Sequence, residues 1–230
     1  MKIMAIDTST SSMSVAVTDC GIIKYEYNQN YALTHSESLM CAIEEMMKTV
    51  QTDIHDIDLF ACSVGPGSFT GVRIGVSVIN AFSYVTGKNA VGVSVLDALA
   101  FPLRYTHDVI LSVTDAQRGN FYRAFYQGEE KNSKSILKKL TEEQIVSWEE
   151  IKEEANKYGK VLLAGDACTL IDDVSPIVKV SGEFIYPRAS SIALIAENSP
   201  SKRYVEPVYL RKSQAEIMFE RKMENAGNKD

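Results

Sequence analysis

Short apolar runs separated by polar turns fill the first thirty residues, and helical spacing then takes over. Residues 2–6 read as a buried strand ending at Asp7. The turn cluster Thr8-Ser9-Thr10-Ser11-Ser12 follows it. Strand patterning resumes at 13–18, and Gly21 opens a third run at 22–27, so an antiparallel meander is predicted. Leu39, Ile43, Met46 and Val50 then recur at helical steps, which predicts a helix over 35–50. An apolar strand at 58–64, a helix at 70–86, a short strand at Val91–Val93 and a helical turn at 95–100 complete this half. Pro102 stops that turn.

The theme repeats beyond it. Strands are expected at 109–114, 120–126 and 161–164, helices at 148–157 and 188–197, and a polar loop at 127–135. A meander followed by strand–helix alternation predicts an α/β fold whose mixed sheets carry helices. The boundary between two lobes falls near 101–107, giving a first lobe over 1–103 and a second over 104–230. The last residues, from Glu220, lack apolar anchors and are expected to fray.

Charge changes the picture more than composition does. The net charge of −6 disfavours free diffusion onto nucleic acid. Residues 1–100 hold five Lys and Arg against ten Asp and Glu, whereas 101–230 hold nineteen against twenty. Any surface that meets RNA therefore belongs to the second half. Cys20, Cys41, Cys62 and Cys168 form no C-x-x-C pair and fit reduced thiols in a cytoplasmic protein. The short apolar start does not make a signal peptide, and no run approaches a membrane span.

Three stretches can carry chemistry. Asp7-Thr8-Ser9-Thr10, at a strand end, can hold an anion or a hydrated cation, or can simply form a side-chain-stabilised turn. Gly65-Pro66-Gly67-Ser68-Phe69-Thr70-Gly71-Val72-Arg73 follows a strand and opens a helix, where anions bind. Its glycine spacing matches neither G-x-G-x-x-G nor a P-loop, and a tight turn with Ser68 or Thr70 as helix cap explains it equally well. Asp115-Ala116-Gln117-Arg118-Gly119-Asn120 links two strands, and Asp115 and Arg118 can form a local ion pair there. His35, His55 and His107 are too far apart for a metal motif, no nucleophile elbow exists, and Cys62 reads as inert core.

Taken in order, Ile6–Thr10, His35-Ser36-Glu37-Ser38-Leu39, the glycine stretch through Ile74-Gly75, Asp115–Tyr122, Pro207-Val208-Tyr209-Leu210-Arg211-Lys212 and Ala215-Glu216 resemble the TsaB (YeaZ) family. Gln117 departs from that family's usual basic residue. The resemblance implies the two-lobe fold of actin, Hsp70 and sugar kinases. It implies a non-catalytic scaffold or activator that dimerises with a catalytic TsaD-type subunit. That subunit transfers threonylcarbamoyl to N6 of adenosine 37 in tRNA. A TsaE-type ATPase joins the pair, and tRNA is met only through the complex. A homodimer is the alternative pairing. The chain itself then needs no cofactor, and ATP or ADP belongs, if anywhere, at the complex interface. In keeping with this, the H-x-x-x-H metal motif of catalytic relatives is absent, and Ser9 replaces the glycine of the phosphate-binding D-x-G-[ST] hairpin.

Asp7, Thr8, Ser9, Gly65, Gly67, Ser68, Thr70, Gly71 and Arg73 are then degenerate phosphate loops, and no catalytic or metal residue is assigned. The two first-lobe helices are broadly apolar. Leu39, Met40, Ile43, Met47, Ile74, Val78, Ala81 and Val85 are expected to form the partner interface. A nucleotide-binding ATPase and a peptidase are the competing readings, the first resting on fold analogy alone.

Overall fold

The computed structural model describes residues 1–30, 35–131, 134–171, 174–180 and 182–211 of the chain. Five strands build the first sheet: β1 (Lys2–Asp7), β2 (Met13–Asp19), β3 (Ile22–Gln29), β4 (Leu59–Gly65) and β5 (Asn89–Ser94). Their order is β3-β2-β1-β4-β5, antiparallel through the meander and parallel from β1 to β5. Central strands covered on both faces need apolar residues at every position, and all seven residues of β4 are buried. One face of the sheet, with Met4, Ile6, Phe60 and Cys62, packs under α1 (His35–Thr49) and α2 (Phe69–Thr86).

The other face meets helices that lie between the two lobes. Ile3, Ala5, Ala16, Leu59 and Ala61 pack with Ala98 of α3 (Val95–Ala100) and with Ala189, Ile192, Ala193 and Ala196 of α5 (Ala189–Ala196). The opposite side of α3 (Val95, Leu96, Leu99 and Ala100) packs on the second sheet at Ile110, Ala116, Tyr122, Ala124 and Tyr126. That sheet runs β11-β10-β6-β7-β8, from β6 (Val109–Asp115), β7 (Asn120–Lys131), β8 (Lys134–Lys139), β10 (Val161–Ala164) and β11 (Ile177–Lys179). β9 (Gln144–Ser147) also pairs with β7. Its outer face is covered by α4 (Trp148–Ala155). A polar clamp fixes α3 to this sheet. Asp97 accepts from the Tyr126 hydroxyl at 2.8 Å and pairs with Lys139 at 2.9 Å.

The two-lobe expectation is met, but the chain after residue 103 does not stay in the second lobe. Helix α5 returns to the first sheet. Its first N–H groups donate to the Ser14 hydroxyl at 2.8 Å and to Glu26 at 3.0 Å. The alanines and serines of its buried face allow the close approach that a helix held between two sheets requires. Beyond it the chain continues along the first lobe. Lys202 bridges Ala90 of β5, and Val208 N–H donates to the Val64 carbonyl at 2.7 Å. Periodicity reports which face of a helix is apolar and not which lobe covers it, so the sequence could not assign this segment.

The polar loop expected at 127–135 is also different. β7 runs on to Lys131 and pairs with β8 in the register Gln127↔Lys138, Glu129↔Ile136 and Lys131↔Lys134. This end of the hairpin is solvated, so it shows no apolar alternation. Gly128 is required because a Cβ there would collide with the Arg104 carbonyl. β9 and β11 are too short to leave a periodic trace. The expected fraying from Glu220 lies outside the described residues.

If α5 is the shared wall of the two lobes, a charge at its centre is not tolerated. Ala193 is fully buried, so Ala193→Asp is expected to cost roughly 3–5 kcal/mol as an uncompensated buried charge. Urea unfolding measures this. A loss below about 1 kcal/mol would show that α5 is not packed there.

Candidate functional site

The glycine stretch and the first hairpin meet directly. At the end of β4 the chain turns at Gly65, whose φ of 113° is open to glycine. Ser68 then caps α2, its hydroxyl accepting from Gly71 N–H at 3.2 Å. The Ser68 N–H donates to the Ser9 carbonyl at 2.7 Å, and the Thr8 hydroxyl donates to the Gly71 carbonyl at 2.7 Å. A Cβ at Gly67 would strike the Ser9 carbonyl, and one at Gly71 the Thr8 carbonyl. Both glycines are therefore demanded by close approach, since neither has a positive φ. Asp7 supports the turn: its Oδ1 accepts the Ser9 hydroxyl at 2.7 Å and the Ser9 N–H at 3.4 Å.

Two candidate anion loops are thus bonded to each other. Asp7, Thr8, Ser9, Gly67, Ser68 and Gly71 come together, a meeting that the sequence did not announce. Arg73 turns outward instead, and its Nε donates to the Tyr209 hydroxyl at 2.8 Å. Burial pushes the Cys62 thiol far above its usual range, in keeping with an inert core residue.

Across from this seam stands the turn between β6 and β7. Gln117, Arg118 and Gly119 are all left-handed, with φ of 63°, 60° and 75°. Such a run is costly for the two non-glycine residues and has to be held from outside. Asp115 accepts from Gln117 N–H at 2.7 Å, so its carboxylate supports the turn from within. Arg211 donates to the Ala116 carbonyl at 2.6 Å. Asp166 accepts from Asp115 N–H at 3.0 Å. The seam, this turn, Tyr122, Asp166 and residues 208–211 enclose a cleft of about 1070 Å³.

Sequence reading missed Asp166. Its one trace is Gly165, which follows a buried strand, has φ of 117° and lies against the Val113 carbonyl. Burial, aided by the nearby Asp115 charge, raises the Asp166 carboxyl to about 6, against the lowering effect of the Asp115 N–H.

The expected partner face is partly interior. Leu39 and Ile43 are buried beside Met46 in the core of the first lobe, and Met47, Ile74 and Val78 are half-buried. Met40, Ala81 and Val85 remain exposed. The polar stripe of α2 faces the returning chain. Asn80 exchanges two hydrogen bonds with the Val205 backbone, at 2.9 and 3.0 Å, and Ser83 lies 2.6 Å from the Arg203 carbonyl.

Two expectations follow from this geometry. Gly71→Ala should destabilise the protein by about 1–3 kcal/mol through overpacking against Thr8, read as a lowered denaturation midpoint. An unchanged midpoint would mean that the seam can open freely. Asp166 binds its proton more tightly folded than unfolded, so stability should fall as pH rises through roughly 4–6. Denaturant titrations of the Asp166→Asn variant should show a flatter dependence over that window. An unaltered pH profile would contradict the raised carboxyl.

The model of the family "TsaD: tRNA N6-adenosine threonylcarbamoyltransferase" matches residues 29–219. The chain is 28% identical to the tRNA threonylcarbamoyladenosine biosynthesis protein TsaB of Escherichia coli (strain K12), covering 94% of this chain and 96% of that one. It is 28% identical to TsaB of Bacillus subtilis (strain 168), over 95% and 98% of the respective chains. Among solved structures, YeaZ from Pseudomonas aeruginosa superposes with a TM-score of 0.69 at 21% identity, covering 91% of this chain and 99% of that one. A second Pseudomonas aeruginosa structure, of a protein described as similar to peptidase YeaZ, gives a TM-score of 0.74 at 21% identity over the same shares. With two mixed sheets and helices wedged between them, the chain shares the fold of these YeaZ structures, and it belongs to the TsaB (YeaZ) family of tRNA threonylcarbamoyladenosine biosynthesis proteins, within the family that the TsaD model describes.

Proposed function

We propose that this protein is a non-catalytic scaffold and activator in tRNA threonylcarbamoyladenosine biosynthesis, acting in the cytoplasm as the dimer partner of a TsaD-type catalytic subunit. The observation that carries this reading is the seam between the Ser9 carbonyl and the Ser68 N–H. In a phosphate-binding protein of this fold, the hairpin and the helix N-terminus would turn such groups toward the ligand. Here they satisfy one another. A TsaE-type ATPase joins the assembly in this reading, and tRNA is handled by the whole complex.

The partner surface is the exposed part of the first-lobe helices: Met40 on α1, and Ala81 and Val85 on α2, with half-buried Met47, Ile74 and Val78 between them. Val85 is 67% exposed and apolar, which is unexplained in a lone chain but fits a face covered by another protein. Leu39 and Ile43 act beneath that face by fixing α1 on the sheet.

Co-expression with the host's TsaD homologue and size-exclusion chromatography test the pairing. Val85→Glu is expected to leave the melting temperature unchanged and to weaken the pairing at least about tenfold, as burial of an unpaired charge at an interface would. A variant that assembles normally removes Val85 from the interface. Failure of the unaltered chain to co-elute, with normal threonylcarbamoyladenosine in tRNA after its depletion, would overturn the whole reading.

A further inference from the structure

The segment that returns along α2 makes a surface unlike the rest of this acidic chain. Between Lys202 and Arg211 the side chains include Lys202, Arg203 and Arg211 against the single acid Glu206, and α2 carries no acidic residue at all. Aromatic rings stand out of the same surface. Tyr84 is 70% exposed and Tyr204 is 48% exposed, and Phe69 and Tyr209 are exposed as a stacked pair with centroids 4.7 Å apart. Arginines lie over or beside these rings: Arg73 is 3.8 Å from the Phe69 centroid and 5.8 Å from that of Tyr209, and Arg203 is 5.9 Å from that of Tyr204. Arg203 also donates to the Tyr84 carbonyl at 3.3 Å, which fixes the returning segment to the C-terminal end of α2.

We propose that this ridge, α2 with the segment Lys202–Arg211, is a contact surface for single-stranded RNA, to which the second half of the chain, expected to hold any RNA surface, supplies Lys202, Arg203 and Arg211 and the first half supplies Arg73. Exposed rings give sequence-tolerant platforms on which bases stack, and the cations alongside hold the phosphates. The ridge is also rigid before any ligand arrives. Asn80 fixes Val205, Ser83 fixes Arg203, Arg73 fixes Tyr209 and Val64 fixes Val208, so little ordering remains for binding to impose. From Arg73 to Tyr84 the helix rises about 16 Å, enough for a short run of nucleotides. A protein partner suits it less. The apolar flank of α2 at Ala81 and Val85 lies on a different side of the helix. A cluster of cations on a chain of net charge −6 is complementary to a polyanion.

The inference rests on the proposed function, which brings tRNA to the complex, and the two can fail separately. The test variant combines Lys202→Glu, Tyr204→Ala and Tyr84→Ala, whose side chains are exposed. Its complex with the TsaD-type subunit is compared with the unaltered complex by size exclusion and by fluorescence anisotropy with labelled tRNA across a salt series. Normal assembly with at least about tenfold weaker tRNA binding and a shallower salt dependence is expected. Normal assembly with unchanged tRNA affinity overturns the proposal. So does loss of assembly, which would make the ridge part of the protein interface. If the unaltered chain forms no complex, the proposed function falls. The ridge is then judged by ultraviolet cross-linking of tRNA to the isolated chain, with adducts at Tyr84, Tyr204 or Tyr209 supporting it and adducts confined elsewhere, or none, refuting it.

Discussion

The structure depends on the absence of side chains where α2 meets the first hairpin. Gly67 and Gly71 let the helix start press against the carbonyls of Ser9 and Thr8, and the Ser68 N–H and the Thr8 hydroxyl then bond across the contact. This one seam sets the position of α2, and α2 in turn carries the returning chain through Arg73, Asn80 and Ser83. Arg211, at the end of that chain, reaches the Ala116 carbonyl of the second lobe. Backbone contacts of this kind leave a loop little freedom to reorganise around a ligand.

The lobes are held by a different device. α3 and α5 fill the space between the sheets with small and aliphatic side chains, and the Tyr126–Asp97–Lys139 cluster pins the shared helix to the second sheet. Lysine and aspartate can be tolerated there because each charge has a close opposite partner and a hydrogen bond. The chain therefore passes from first lobe to second and back to the first, and the cleft lies between surfaces tied at both sides.

Much of this was legible in the sequence. The meander, the buried β4 and the helices α1, α2, α4 and α5 follow from runs and periodicities that tertiary packing reinforces. Ser68 as a cap and the close approach at Gly67 follow from local chemistry. What could not be read is relational. Nothing in residues 188–197 says which sheet covers them, and nothing near Gly165 announces that Asp166 will face the Asp115–Gly119 turn. The broad apolar arc of α2 did not reveal that Arg73, Asn80 and Ser83 bond to the returning chain while Tyr84 stays exposed. Leu39 and Ile43 look like surplus hydrophobic surface on a helical wheel, and become core once the sheet beneath α1 is in place.

The central claim is that the hairpin and helix loops bond to each other, Ser68 N–H to the Ser9 carbonyl and the Thr8 hydroxyl to the Gly71 carbonyl, where a phosphate-binding protein would turn such groups toward its ligand. Calorimetric titration of the purified chain with ATP and Mg²⁺ tests it most directly. The account predicts no saturable heat up to about millimolar nucleotide, a concentration at which binding worth even ~4 kcal/mol would register. Saturable binding in the micromolar range, abolished by Ser9→Val, would contradict it.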